Sequence, residues 1–104
     1  MGARPFVVEA DATDVQEAFQ DAVAKAQWLY GHAGYTGTIA EKYTVRVVTP
    51  PRSMTDEEKQ AWVERLLQHE IDDPRLGWID DKWAPAAAVR LSAGGWIFFG
   101  WAAS

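Results

Sequence analysis

The sequence predicts an α+β domain: a two-layer sandwich, order β-α-β-α-β-β, with two helices on one face of a four-stranded mixed sheet. Three observations carry that expectation. Two segments place apolar residues at helical spacing behind helix-capping signals. A stretch near the middle alternates like a strand. Two apolar runs at the end are separated by Gly94-Gly95, a hairpin signal. At 104 residues the chain has the length of one domain, 1–104, and can bury a core without disulfide or metal staples.

Taken in order, "PFVVEA" (5–10) is a short strand rich in β-branched and aromatic side chains. Thr13 followed by Gln16 reads as a capping box, with Asp11 and Asp14 suited to the positive end of a helix dipole. Val15, Phe19, Ala22, Val23, Ala26, Leu29 and Tyr30 then form one apolar face, and Gly31 is the expected stop. In "TIAEKYTVRVV" (38–48), Ile39, Glu41, Tyr43, Val45 and Val47 share the side expected to face the core. If its strands are neighbours, this first β-α-β unit is a parallel, right-handed crossover. "TPPRSM" ends the strand, because paired prolines cannot donate to a ladder. A second helix over about 55–69 starts at a Thr55/Glu58 capping box and carries Trp62, Val63, Leu66 and Leu67 as its stripe.

Residues 70–85 are irregular but hold Trp78 and Trp83, which predicts a segment packed down on the domain. The closing strand sets Trp96 and Phe98 on one side and Ile97, Phe99 and Trp101 on the other. Helices on a single face leave one of these sets wet. Either the 70–85 loop folds over it, or a second copy of the chain does, making a homodimer through the C-terminal strand. Gly100 between Phe99 and Trp101 suits the close approach of a ring or another backbone.

Composition narrows the function classes. The absence of cysteine removes thiolate catalysis and Cys-type zinc sites and fits a reducing, cytoplasmic setting. The net charge of −5, with scattered Lys and Arg, argues against nucleic acid as a direct ligand. No apolar run reaches membrane-spanning length, and no membrane association is expected.

The most distinctive segment is "YGHAGYTGTIAEKY" (30–43). Gly31, Gly34 and Gly37 permit positive φ, so successive N–H groups could converge on an anion. Thr36 and Thr38 add hydroxyls, Lys42 a cation, and Tyr35 a ring for stacking. The candidate ligand-binding set is therefore His32, Tyr35, Thr36, Thr38, Glu41 and Lys42. Two features oppose a phosphate cradle: the loop follows a helix, and its glycines match neither GxGxxG nor GxxxxGK[ST]. Glu41 is expected to point inward, where a carboxylate must be paired, hydrogen-bonded or neutral. It either forms a general acid/base pair with His32 or bonds loop N–H groups and holds the turns. Asp72, Asp73, Asp80 and Asp81 fit no EF-hand spacing and read as a solvated acidic loop; neither a metal nor a cofactor is expected. His69 should complement the dipole at the end of the second helix.

"GYTGTIAEK", "DDKWAPAAAV" and the closing "WIFFGWAAS" together resemble a set of small proteins of bacteriophages and actinobacteria with no settled function. The resemblance spans about residues 5–102. It implies an intracellular, host-interacting protein and supplies no catalytic residues. The functional expectation is a small cytoplasmic, non-catalytic protein that binds a protein partner through Trp78, Trp83, Phe99 and Trp101. The alternative is a nucleotide- or metabolite-binding protein, or a small enzyme, built on the 31–42 loop.

Overall fold

The computed structural model describes residues 2–31 and 34–104. The expected order of elements holds: β1 (Ala3–Ala10), α1 (Val15–Tyr30), β2 (Val45–Val47), α2 (Asp56–Leu67), β3 (Ala86–Arg90) and β4 (Trp96–Ala103). Short 3-10 turns over Ile39–Glu41 and Pro74–Asp80 are added to it. The strands form one mixed sheet in the order β1-β4-β3-β2. β4 runs antiparallel to both β1 and β3, and β2 pairs parallel with β3.

The condition for a parallel β-α-β crossover is not met: β1 and β2 are the two edges of the sheet. β4 lies inside, hydrogen-bonded on both sides.

The helices also occupy opposite faces, not one face. Alternation along β4 sends Trp96 and Phe98 to the side of α1, where Phe19 meets Phe98 edge-to-face at 5.9 Å. Ile97 and Phe99 go to the other side, where Trp62 of α2 meets Phe99 at 6.2 Å. The sandwich thus has three layers, and the two-sided aromatic pattern of β4 is its cause. Leu76, Trp78 and Ile79 of the 74–80 turn extend the α2 layer, so the segment packs down around Trp78 but not at Trp83. Ala86, Ala87 and Ala88 of β3 are fully buried; their small side chains let both layers approach the sheet.

Local signals set most boundaries. Asp14, rather than Thr13, caps α1: its Oδ2 accepts from the Glu17 amide at 3.0 Å. Gly31 ends the helix at φ 88°, donating to the Gln27 carbonyl. Thr55 and Glu58 form the expected reciprocal capping box. The hairpin turns at Gly94-Gly95, with Leu91 N–H donating to the Gly95 carbonyl at 3.0 Å. Gly100, at φ 154°, leaves room for the Phe6 ring, which would meet an added Cβ at 3.4 Å.

The 38–48 segment is the largest departure. Only Val45–Val47 is strand, and residues 39–41 form a 3-10 turn instead. Ile39 is buried as expected, but Tyr43 is 94% exposed and Val47 is exposed as well. The alternating pattern was real in the sequence. It was overridden because the segment has a strand neighbour only where it meets β3.

Candidate functional site

The glycine loop follows the end of α1 and touches the end of β4. Gly37 N–H donates to the Ala103 carbonyl of β4 at 2.8 Å. Gly34, Tyr35 and Gly37 all have positive φ, 78°, 56° and 72°. Such a run turns successive amides toward one point. The anion at that point is Glu41. Its Oε2 accepts from the Thr36 amide at 3.1 Å and from the Thr36 hydroxyl at 2.8 Å. Behind it runs a relay. The Ala40 amide donates to Thr38 Oγ1 at 3.2 Å, and the two threonine hydroxyls are 2.8 Å apart. With Thr36 donating to Glu41, the proton of each hydroxyl is committed within the loop.

Partial burial raises the Glu41 pKa, but the Thr36 hydroxyl and the Thr36 and Tyr35 amides outweigh it and hold the carboxyl below its ordinary range. The loop thus engages the chain's own carboxylate through Thr36, while the Gly37 amide turns to the Ala103 carbonyl. Of the two roles considered for Glu41, the geometry shows the one in which it bonds loop amides. His32 lies outside the described residues, and so does any pairing of it with Glu41.

The buried charge belongs to the next residue. Lys42 is only 4% exposed. Its Nζ donates to the carbonyls of Lys82 at 3.1 Å and Ala84 at 2.7 Å and stands 6.0 Å from the Phe6 ring centre. Burial pushes its pKa down, partly offset by the Asp81 charge. A lysine in this setting is a clamp: it fastens the 82–84 segment to the glycine loop. That clamp sets Trp83 beside Tyr35, edge-to-face at 6.4 Å, with the Lys82 ammonium 5.4 Å from the indole.

The four residues foreseen as an interface separate. Trp83 is 64% exposed. Phe99 is fully buried under α2, a position no partner reaches in the folded chain. Trp78 and Trp101 are partly buried against the same cluster. Arg46 lies over Trp78 at 4.9 Å, and His69 stacks on Trp101 at 6.0 Å. The structure exposes other aromatics instead: Trp28 at 83% and Tyr30 at 61%, in the last turn of α1, and Tyr43. Trp28 was readable as an indole off the apolar stripe of its helix; Tyr30 was masked by lying on that stripe.

Beside the loop, β1 and the end of α1 enclose a cleft of about 340 Å³ that Thr36 and Thr38 help to line. The acidic segment does not gather into a site. Asp73 holds Arg75 at 2.8 Å, Asp80 meets His69 at 3.0 Å, and Asp81 accepts from the Trp83 amide at 2.9 Å. Among the described residues no three metal-ligating side chains converge. No protein-family profile, no curated protein and no solved structure matches the chain.

Proposed function

We propose that this chain is a non-catalytic binding protein that engages a protein partner through the aromatic surface around Tyr35 and Trp83. The observation that carries the reading is the exposed Tyr35–Trp83 pair, held in place by Lys42 rather than left to solvent. Rigid, exposed aromatics lose little entropy when a partner covers them and are enriched where binding energy concentrates. Trp28 and Tyr30 are also exposed, in the last turn of α1. Among the described residues, the Thr36 and Thr38 hydroxyls and Glu41 Oε2 support the same reading, because they are bonded to one another. Chemistry on a substrate would need an uncommitted acid, base or nucleophile, and Glu41, Thr36 and Thr38 are none of these. A cytoplasmic, host-interacting setting belongs to this proposal and draws on the cysteine-free sequence.

A photo-crosslinking residue placed at 83, and as a control at exposed Glu57, tests it in cells. A discrete adduct at 83 only, identified and rebuilt with purified components, is expected. Its affinity should fall at least tenfold in Trp83→Ala, about 1.4 kcal/mol. Identical adducts at both positions, or unchanged affinity in Trp83→Ala, would remove the aromatic surface from consideration.

A further inference from the structure

We propose that the cleft between β1, the end of α1 and the glycine loop binds a small hydrophobic carboxylate, with Arg4 as the residue that recognises the acid. Neither Tyr35 nor Trp83 lines this cleft, although Tyr30 does.

The floor is apolar. Phe6 and Val8 of β1, Ala26 of α1 and Ile39 of the 3-10 turn line it, and all belong to or pack on the α1-side core. Its polar groups are unequal. Thr36 and Thr38 have their hydroxyl protons committed, so toward a ligand they present only acceptor lone pairs. The Thr36 and Gly37 amides are likewise occupied, by Glu41 and by the Ala103 carbonyl. Arg4 is different. Its stem lies so close across Gly37 that a Cβ there would fall 2.9 Å from Arg4 Cδ, with φ 72° adding a second reason for glycine. Among the described residues Arg52, Arg65 and Arg75 each hold a carboxylate, and Arg46 lies on Trp78. Arg4 and Arg90, both exposed, have neither kind of partner among the described residues, and of the two only Arg4 lines the cleft.

One guanidinium on an apolar trough defines the ligand class. Its planar fork matches a carboxylate bidentately. A dianionic phosphate would call on further donors, and among the described loop residues the Thr36 and Gly37 amides and both threonine hydroxyls are already engaged. The volume of about 340 Å³ lies at the low end of ligand pockets, too small to enclose a nucleotide. It is roughly twice the ~150 Å³ of an apolar cavity that accepts benzene. A single-ring acid or a medium-chain fatty acid fits that space.

The test is a heteronuclear NMR titration with phenylacetate and octanoate, set against phenylacetamide, which has the same shape without the charge. Saturable shifts confined to β1, Ala26 and residues 36–39 are expected, with the acid at least tenfold tighter than the amide. Arg4→Gln should erase that difference; Arg4→Lys should restore part of it. Ala26→Leu, which fills the trough, should weaken acid and amide alike, while retained spectral dispersion reports that each variant folds. Equal binding of acid and amide would overturn the proposal. So would undiminished acid binding in Arg4→Gln, shifts mapping elsewhere, or no saturable shift with either acid at several millimolar.

Discussion

Glu41 and Lys42 are adjacent charges whose roles are the reverse of those the alternation suggests. A strand through both would have turned Glu41 inward and Lys42 outward. The 3-10 turn instead hands Glu41 to the glycine loop and drives Lys42 between two carbonyls. Glu41→Gln keeps the shape and removes the charge from its bonds to Thr36. A loss of about 1–2 kcal/mol is expected by urea denaturation, in the range for hydrogen bonds to a charged group. The pH dependence has a defined sign. The carboxyl titrates lower folded than its ordinary 4.5, so its contribution is present above that value and is lost as pH falls through the folded-state pKa. Glu41→Gln should therefore narrow the gap to wild type as melts are run below pH 4.5. Lys42 gives a slope of the same sign at the alkaline end. Its folded pKa is depressed below 10.5, so the folded state binds its proton less tightly and stability rises with pH across that window. Lys42→Met should flatten this rise. It should also free the 82–84 segment, seen as faster amide exchange there.

At the scale of elements, β1 shows how an edge strand is kept from pairing. Gly2 and Ser104 exchange both backbone bonds, at 2.9 and 3.1 Å. By alternation the amides of Arg4, Phe6, Val8 and Ala10 face β4, and those of Ala3, Val7 and Glu9 face outward with the position of Pro5. Pro5 thus stands where its missing N–H interrupts the free edge. Pro5→Thr restores that donor, and sedimentation velocity should show more concentration-dependent self-association than in wild type. The cap of α2 is a local device: Thr55→Ala is expected to cost about 1 kcal/mol. Gly100 is not local in this sense. Its backbone at φ 154° and the Phe6 ring above it both resist a side chain. Gly100→Ala should therefore cost on the order of 1–3 kcal/mol by the same denaturation assay.

At the scale of the whole molecule, the sheet separates two half-cores that share its backbone. Phe98 seals one side with Phe19, and Phe99 seals the other with Trp62. Truncating either ring to alanine should cost about 3–5 kcal/mol. Because β4 serves both sides, neither half should melt alone. Single-tryptophan variants reporting from Trp96, on the α1 side, and Trp62, on the α2 side, should give the same urea midpoint. Two separate midpoints would mean that the layers are independent.

The sequence by itself determined the two long helices, the Thr55/Glu58 cap of α2 and the Gly94-Gly95 hairpin. These depend on residues within a few positions of one another. It also showed, in the rings on both sides of β4, that each face of the sheet needs a cover. Only the tertiary structure decided that α2 crosses to the second face, that β4 lies inside the sheet, and that Phe99 is sealed while Trp83 is open. The reason is range. Strand order and helix side are chosen by contacts between distant parts of the chain, and Lys42 is buried because residues 82 and 84, forty positions away, supply its acceptors.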